Sequence, residues 1–355
     1  MSPAAHDGFA DRVIRWQRSH GRADLPWQGT RDPYRIWVSE IMLQQTQVAA
    51  VIPYYARFLA RFPHVEALAD APAADVMAAW SGLGYYSRAR NLHRCAQQVV
   101  AQHGARFPRE VDALAALPGI GRSTAAAISA FAYSTRAAIL DGNVKRVFAR
   151  HFGIDGFPGT SAVERRMWTL AETLLPAADI EPYTQGLMDL GATLCVRARP
   201  RCAECPVRAS CVALRENRVA GLPAPRPVKP RPLRHATLAI IRDAAGAVLL
   251  ETRPPSGIWG GLMSLPEFDA EATDDALRAA IRERYALEVQ FGERLPELRH
   301  EFSHFSLLMY PRLARIVAAG GAADAPVRFV PLSGLADCAL PAPIRKLLRP
   351  FASVD

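Results

Sequence analysis

Residues 117–147 have the sequence LPGIGRSTAAAISAFAYSTRAAILDGNVKRV, in which a glycine-rich turn is flanked by helical patterns. The motif PGIG favours a tight turn, and the alanine-rich run after it favours a helix. The sequence therefore predicts a helix–hairpin–helix over residues 112–133. We expect Gly119 and Gly121 to adopt positive φ and to bring backbone N–H groups close to an anion at the start of the second helix, and a DNA phosphate is the natural anion.

The other end of this stretch carries Asp141, directly before a second helical pattern. We predict that Asp141 is the N-cap of a helix that runs through Arg150, where the helix dipole and the backbone N–H groups keep its carboxylate ionised. An ordinary helical hairpin and a purely capping aspartate are the structural alternatives for the two ends. The features described below, taken together with them, favour a chemical role for both.

The length and composition indicate a globular protein. The chain has 355 residues, half of them hydrophobic, which allows two or three domains with proper cores. No apolar run free of charge approaches the roughly 18 residues of a membrane span, and the first residues do not resemble a secretory signal. We therefore expect a cytoplasmic protein that acts as a monomer and has no membrane partner.

The net positive charge is confined to the first part of the chain. Up to residue 229 there are 28 Lys and Arg against 19 Asp and Glu, whereas the remainder has 15 of each. Only the first part is therefore expected to attract a polyanion.

The patterns predict two domains joined by a linker. Residues 1–218 are predicted to be almost entirely helical, and residues 219–234 hold a run of prolines typical of a semi-rigid linker. Residues 235–355 contain strand patterns followed by a helical pattern at 273–285. The predicted fold class is a mainly α N-terminal domain followed by an α+β C-terminal domain.

Glu40 stands alone as an acid in the apolar segment of residues 37–48, which we predict to be a helix. A carboxylate among apolar neighbours is costly to bury in its ionised form, so its surroundings favour the protonated form. A carboxyl group that keeps its proton is suited to general acid catalysis. The alternative is a solvent-facing glutamate on an amphipathic helix.

The segment WSGLGYYSRAR at residues 80–90 places glycines, tyrosines and arginines in a predicted loop and helix start. Aromatic side chains beside arginines are suited to enter a base stack while the cations bind phosphates. Tyr85 is the candidate for this role, and a pair of tyrosines packed in the core is the alternative.

Four of the six cysteines lie within 17 residues and predict a metal site in a reducing compartment. They are Cys195, Cys202, Cys205 and Cys211. Four thiolates suit either a 4Fe–4S cluster or tetrahedral zinc, and the presence of only one CxxC pair favours the cluster. Cys95 and Cys338 are expected to be spare thiols.

These features together resemble the helix–hairpin–helix DNA glycosylases with an iron–sulfur loop, and within them the adenine DNA glycosylases of the MutY type. The resemblance covers nearly the whole chain. Its motifs are LPW (25–27), SEIMLQQTQV (39–48), GLGYYSRARNLH (82–93), LPGIGRSTAAAI (117–128), ILDGNVKRV (139–147), MDLGATLC (188–195), RPPSGIWGGL (253–262) and FSHF (302–305).

The resemblance implies a helical catalytic domain, a cluster bound by the four cysteines, and a Nudix-like C-terminal domain that helps to recognise the lesion. The implied substrate is adenine opposite 8-oxoguanine, or opposite guanine, in double-stranded DNA. The target base has to leave the DNA double helix before it can react. The implied catalytic residues are Glu40, Asp141 and Asn143. The implied substrate-binding residues are Trp27, Gln44, Tyr85, Gly119, Gly121, Ser123, Gln185, Ser303 and His304.

Ser123 separates two subfamilies within this resemblance. Bifunctional glycosylases of the endonuclease III type carry at this position a lysine that acts as a Schiff-base nucleophile, so Ser123 implies a monofunctional enzyme. The endonuclease III-type glycosylase/lyase is the nearest alternative. A Nudix-type nucleotide hydrolase is a second alternative, but it needs a helix motif REUxEE, with U aliphatic, to hold divalent metal, and here no acidic pair follows Arg282-Glu283. A non-catalytic DNA-binding protein is a third, and Glu40 together with Asp141 disfavours it.

Overall fold

The computed structural model describes residues 8–227, 230–254, 257–302, 304–320, 327–336 and 338–352. The chain forms two compact units, one of residues 1–70 and 91–228 and the other of residues 71–90 and 229–355.

The first unit is helical, as predicted. Its core is formed by apolar faces of α1 and of the helices from α8 to α11, with aromatic rings such as those of Phe9 and Phe148 at 6.1 Å between centroids. Short turns of 3-10 helix, at Cys202–Glu204 and Arg208–Ser210, and a π-helical turn, at Leu190–Leu194, complete it. The α-helices are α1 (Phe9–His20), α2 (Pro33–Leu43), α3 (Val48–Arg61), α4 (Val65–Ala69), the larger part of α6 (Ser87–His103), α7 (Val111–Ala115), α8 (Arg122–Tyr133), α9 (Gly142–His151), α10 (Ser161–Thr173), α11 (Ile180–Asp189) and α12 (Val212–Arg215).

Helices α7 and α8 form the predicted helix–hairpin–helix, and they pack against each other. The turn between them is closed by the N–H of Ile120, which donates to the carbonyl of Leu117 at 3.2 Å. Gly119 has φ 79°, and a Cβ atom there would lie 2.8 Å from Cβ of Asn91, so the turn requires glycine at this position. The prediction of positive φ at Gly121 is wrong: φ is −88°, because this residue is the extended N-cap of α8.

Helix α2 carries Glu40 but is shifted from its predicted bounds. It begins after Asp32, whose carboxylate accepts a hydrogen bond from the N–H of Tyr34 at 2.9 Å, with a proline at the first helical position. It ends at Leu43, and Gln45 has φ 58°. Gln44, predicted to lie within the helix, is therefore the residue that follows it.

The second unit is built on one mixed β-sheet. The strand order is β3-β2-β1-β7-β5, and β1 and β7 run parallel from Leu233 and Ser306 onwards. Helix α13, capped by Thr273, packs on β5 over a core that includes Ile281 and Tyr285. The elements are α5 (Ala73–Trp80), β1 (Leu233–Arg242), β2 (Val248–Thr252), β3 (Met263–Ser264), β4 (Glu267–Phe268), α13 (Asp274–Tyr285), β5 (Leu287–Arg294), β6 (Leu298–Glu301), β7 (Ser306–Ala319), β8 (Val327–Val330) and α14 (Ala342–Ala352).

The fold class is confirmed, but one segment groups differently from the prediction. Residues 71–90, assigned from the sequence to the helical domain, belong to the second unit. Within that unit the hydroxyl groups of Ser81 and Tyr86 donate to the carbonyl of Leu340, and the guanidinium of Arg90 donates to the carbonyl of Gly260 at 2.5 Å. The other domain boundaries, and the linker at 219–234, stay predictions; residues 228–229 of that linker lie outside the described residues.

Within these described ranges, no helix combines the length and the apolar character that crossing a membrane requires.

Candidate active site and cysteine loop

A cavity of about 270 Å³ in the first unit brings together three of the predicted site residues. Glu40 from α2, Gln185 from α11 and Trp27 from the connection between α1 and α2 all line it. The indole of Trp27 is held edge-on by the ring of Tyr55, with 5.4 Å between the centroids. The rest of the lining is mixed, with charged and amide side chains beside apolar ones such as Phe131. A concave site that combines apolar and aromatic surface with convergent polar groups is the usual form of a pocket for a small ring system.

Glu40 is a half-buried acid at this cavity. Its side chain is partly accessible and forms part of the cavity lining. Burial, and after it the charge of Asp141, raise the pKa of Glu40 to about 8. At neutral pH this carboxyl group therefore keeps its proton, which is the state that the sequence predicted.

Asp141 is the N-cap of α9, as predicted. Its carboxylate accepts hydrogen bonds from the backbone N–H of Val144 at 2.8 Å and from the side-chain amide of Asn143 at 3.3 Å. Arg146 in turn donates to the amide oxygen of Asn143 at 2.8 Å, which orients that amide.

Burial changes what capping alone predicts for the charge of Asp141. Desolvation raises the pKa of Asp141, although the hydrogen bonds from Val144 and Asn143 and the charge of Arg146 oppose that rise. The prediction that the cap determines its ionisation therefore left out the larger effect. The charge of Asp141 acts in turn on Glu40, whereas the Asp141 carboxylate itself is held by hydrogen-bond donors.

Ser123 and Gln44 connect the hairpin to this site. The hydroxyl of Ser123 accepts a hydrogen bond from the N–H of Leu140 at 2.9 Å, directly before Asp141. The amide of Gln44 donates to the hydroxyl of Thr124 at 3.4 Å, which joins the end of α2 to the start of α8. Both side chains therefore link the start of α8 to the segments that carry Glu40 and Asp141.

Gln185 contacts Asp189, which the sequence patterns did not indicate as a site residue, and Asp189 in turn contacts Arg22. The amide of Gln185 donates to the carboxylate of Asp189 at 2.8 Å, and Arg22 forms an ion pair with the same carboxylate at 2.6 Å. The available signal was an acid four residues after Gln185 in the otherwise apolar end of α11, since that spacing places both on one helix face.

The four clustered cysteines face one another in the first unit. Cys195, Cys202, Cys205 and Cys211 line a single cavity, and all four are free thiols. Sulfur donors in this number suit an iron–sulfur cluster or zinc, so the side chains present fit a sulfur-bound metal group. In the described part of the chain, no three Cys, His, Asp or Glu side chains are grouped closely enough to hold a single metal ion.

Helix α9 attaches the cysteine loop to the active site. Arg150 is buried and donates to the carbonyl groups of Val196 at 2.7 Å and Leu222 at 2.8 Å. Arg146 donates to the carbonyl of Cys195 at 2.7 Å. The helix whose N-cap is Asp141 therefore also holds the backbone that carries the thiols.

The remaining predicted residues lie in the second unit or outside the described residues. Tyr85, with φ 48° and an exposed ring, lines a cavity of about 660 Å³ together with Trp259 and His304. Phe302 and Phe305 stack at 4.5 Å between centroids, and the N–H of Phe302 donates to the carbonyl of Phe305 at 2.9 Å. This turn displays His304, whereas Ser303 lies outside the described residues.

Helix α13 lacks the acidic pair of a Nudix hydrolase, as the sequence indicated. Arg284 follows Glu283 and forms an ion pair with Glu251 at 2.7 Å, and the hydroxyl of Tyr285 donates to the same carboxylate at 2.7 Å. A carboxylate already bound by a guanidinium and a phenol is a poor ligand for a divalent cation.

Comparison with known proteins agrees with this geometry. Residues 38–173 match the family model described as HhH-GPD superfamily base excision DNA repair protein, and residues 237–350 match that of the NUDIX domain. The structure of a thermostable thymine-DNA glycosylase is similar with a TM-score of 0.55 and 31% identity, covering 60% of this chain and 98% of that one. A non-covalent endonuclease III–DNA complex shares the fold with a TM-score of 0.52 and 20% identity, covering 61% of this chain and 98% of that one.

The hairpin, the half-buried acid and the matched family define a helix–hairpin–helix glycosylase of base excision repair. Relatives that match most of the chain identify one family within this class of glycosylases. An adenine DNA glycosylase of Buchnera aphidicola is 36% identical over 87% of both chains, and that of Mus musculus is 34% identical over 84% of this chain and 69% of its own. The chain belongs to the adenine DNA glycosylase family, which confirms the resemblance inferred from its motifs.

Proposed function

We propose that this protein is a monofunctional glycosylase that hydrolyses the N-glycosidic bond of adenine mispaired with 8-oxoguanine or guanine in duplex DNA. The observation that carries the proposal is that Glu40, whose pKa is raised by burial and by the charge of Asp141, lines a cavity together with an aromatic ring and an amide. The family membership of the chain supports the choice of adenine.

The acid step belongs to Glu40. Adenine leaves poorly as an anion, and transfer of the Glu40 proton to a ring nitrogen, which we propose to be N7, makes it a neutral leaving group. Trp27 packs against the base in the cavity, and the amide of Gln185 hydrogen-bonds its edge. The electron pair of the breaking glycosidic bond passes into the protonated base.

The cation left on the sugar is stabilised by Asp141. Cleavage of the glycosidic bond leaves an oxocarbenium-like sugar, and an ionised carboxylate held at that point lowers the energy of this state. Asn143 and the backbone of Val144 fix the orientation of the carboxylate. The Glu40 carboxylate then takes a proton from water as the water attacks the sugar.

Access to the base requires it to leave the DNA stack. A base inside a duplex is out of reach of any cavity, so the adenine is flipped out, and Gln44 and Tyr85 are the side chains that we propose to fill the gap. The turn at Gly119 and Gly121 binds a backbone phosphate through its N–H groups and the start of α8.

The absence of a lyase step is tested by a single-turnover assay on duplexes with adenine opposite 8-oxoguanine or guanine. We expect strand breaks only after alkali and no borohydride-trapped adduct, because Ser123 supplies no amine. Ser123→Lys introduces an amine next to Leu140, and Ser123→Ala is its matched control, since both lose the bond to the Leu140 N–H. Strand cleavage that keeps pace with adenine loss in the unaltered protein would instead establish the endonuclease III-type lyase.

We propose that the four cysteines bind a 4Fe–4S cluster. Each thiolate of such a cluster binds a different iron atom, so the ligands need only surround one cavity, as these four do. The cluster would fix residues 195–211 and their arginines for contact with phosphates. A group of thiols that holds iron also agrees with the cytoplasmic location expected from the sequence.

Anaerobically purified protein is expected to contain iron and sulfide, and Cys202→Ala to lose most of both. Cys95→Ala is the matched control, because Cys95 is buried in α6 away from the loop, and it should retain the metal. Stoichiometric zinc without iron or sulfide would contradict the cluster.

We propose that the second unit recognises the oxidised base. 8-Oxoguanine differs from guanine at O8 and N7–H, and so small a difference is recognised by placed hydrogen-bond groups rather than by positive charge. His304 is displayed by a turn that two stacked phenylalanines hold, and it lines the same cavity as Tyr85.

Ser303→Ala combined with His304→Ala is therefore expected to remove most of the preference for 8-oxoguanine over guanine opposite adenine, while excision from A:G pairs continues. Single-turnover rates on the two duplexes measure the preference. His235→Ala is the control, since His235 stacks on Tyr310 in the same unit. An unchanged preference would move the recognition to Tyr85 or to the first unit.

A further inference from the structure

A buried carboxylate beside the active-site cavity takes no part in the steps above. The Asp189 side chain is 0% exposed, at the end of α11. One of its oxygens accepts from the guanidinium of Arg22, at 2.7 and 2.6 Å, and from the amide nitrogen of Gln185 at 2.8 Å. The other oxygen accepts from the backbone N–H of Arg22 at 2.9 Å.

This arrangement allows only one orientation of the Gln185 amide. A carboxylate in an ion pair has acceptors and no donor, so Gln185 has to turn its NH₂ group towards Asp189. Its carbonyl oxygen is then the atom left for the cavity that Gln185 lines. Without Asp189 an amide in this place would be free to rotate by 180° and to present a donor instead.

A hydrogen-bond acceptor at this place, such as the carbonyl oxygen of Gln185, suits purines that carry an amino group at C6. Adenine carries an amino group at C6, which donates a hydrogen bond, whereas guanine and hypoxanthine carry an oxygen there, which only accepts. An acceptor that faces a 6-oxo group leaves two acceptor oxygens opposite each other without a hydrogen between them, which costs free energy. The orientation of a single amide therefore distinguishes the two classes.

We infer that Asp189 is a positioning residue that makes the cavity selective for 6-aminopurines, because it fixes the carbonyl oxygen of Gln185 towards the extruded base. The inference rests on the proposed function, in which Gln185 contacts the base. Arg22 acts with Asp189, since its guanidinium and its backbone N–H both donate to the carboxylate.

The same contacts hold the loop that carries Trp27. The side chain of Gln28 donates to the carbonyl of Arg22 at 2.9 Å and accepts from the N–H of Leu25 at 3.1 Å. Asp189 thereby connects the aromatic face of the cavity, through Arg22, to the helix that carries Gln185.

The test compares single-turnover release of adenine, of hypoxanthine and of unsubstituted purine from otherwise identical duplexes. In the double variant Arg22→Met with Asp189→Ala, we expect the adenine-to-hypoxanthine rate ratio to fall by at least about tenfold, as loss of one buried hydrogen bond implies. Replacing both members avoids an unpaired buried charge. Asp189→Asn keeps the side-chain shape but offers a donor as well as an acceptor, so it should lower the ratio by a smaller factor.

Gln185→Met tests whether Asp189 acts through Gln185. It should lower the ratio as the double variant does, and adding Arg22→Met and Asp189→Ala to it should lower the ratio no further. Arg18→Met with Asp179→Asn is the matched control, because this exposed pair joins α1 to the start of α11 without contacting Gln185, and its ratio should equal that of the unaltered protein.

A purely structural role for Asp189 predicts that all three bases are released more slowly by the same factor, and an unchanged ratio would overturn the inference. An unaltered protein that releases no adenine from any duplex would overturn the proposed function itself. Adenine release with an unchanged ratio in the variants would overturn only the role of Asp189.

Discussion

Glu40→Gln is expected to reduce adenine release under single-turnover conditions by about 10²- to 10⁴-fold or more, the range that general acids contribute. Glutamine has nearly the same shape but no proton to transfer and no carboxylate to activate water. Binding to a mispaired duplex should stay close to normal, because the substitution removes no positive charge. Glu66→Gln is the control, since this exposed carboxylate in α4 pairs with His64 away from the cavity. A near-normal rate in Glu40→Gln would show that another group is the acid.

The pH dependence of the reaction should report the same group. Because the pKa of Glu40 is raised to about 8, the acid is present at neutral pH and is lost as the pH rises through about 8, so the single-turnover rate should fall on that side.

Stability provides a second readout of this titration. A carboxyl group whose folded-state pKa is raised from 4.5 to about 8 contributes stability that is complete below 4.5 and is lost as the pH rises through 8. Unfolding free energies of the unaltered protein should therefore fall relative to those of Glu40→Gln across this interval. Parallel pH curves for the two proteins would argue against a raised pKa.

Asp141→Asn is expected to slow base release by about 10²- to 10³-fold, the cost of losing one placed electrostatic contact to a transition state. Asparagine still caps α9 through its amide oxygen, so helix formation should be little affected. Its NH₂ group, however, faces the NH₂ group of Asn143, which donates to Asp141 at 3.3 Å in the unaltered protein. Single-turnover rates, together with thermal unfolding, separate the lost charge from any loss of fold.

Asp32→Asn is the matched control for Asp141→Asn. Asp32 is also an N-cap aspartate, with its carboxylate accepting from the Tyr34 N–H at 2.9 Å, and asparagine is an equally good cap. This variant should retain activity and stability. Equal losses in both variants would indicate that capping, and not the charge at Asp141, is what the reaction requires.

Local patterns in the sequence were sufficient to predict several helices, one helix cap and the shared cysteine site of this protein. Helical periodicity predicts α2 and α8, the placement of Asp141 before an apolar pattern predicts its cap, and the spacing of the cysteines predicts a shared site. Each of these depends on residues close together in the chain, for which propensity and capping are the controlling interactions.

The sequence by itself also identified Glu40 as an acid that resists ionisation, from its apolar neighbours. Only the tertiary structure brings Asp141 close enough to raise the pKa of Glu40 further, and only burial of the folded chain raises the pKa of Asp141 against its own hydrogen bonds. Desolvation depends on every element packed around a group, so no segment considered alone contains it.

Other features depend on long-range contacts, and only the tertiary structure could decide them. Residues 71–90 join the second unit through bonds to residues more than 160 positions away, and Arg22 meets Asp189 at a separation of 167 residues. The helical pattern of α11 predicts that Gln185 and Asp189 share a face, but which charge neutralises Asp189, and hence which atom of Gln185 faces the cavity, is set by the packing of a distant loop. The sequence therefore predicted which residues take part in the chemistry, and the tertiary structure decided their surroundings and orientation, because both depend on contacts between distant segments.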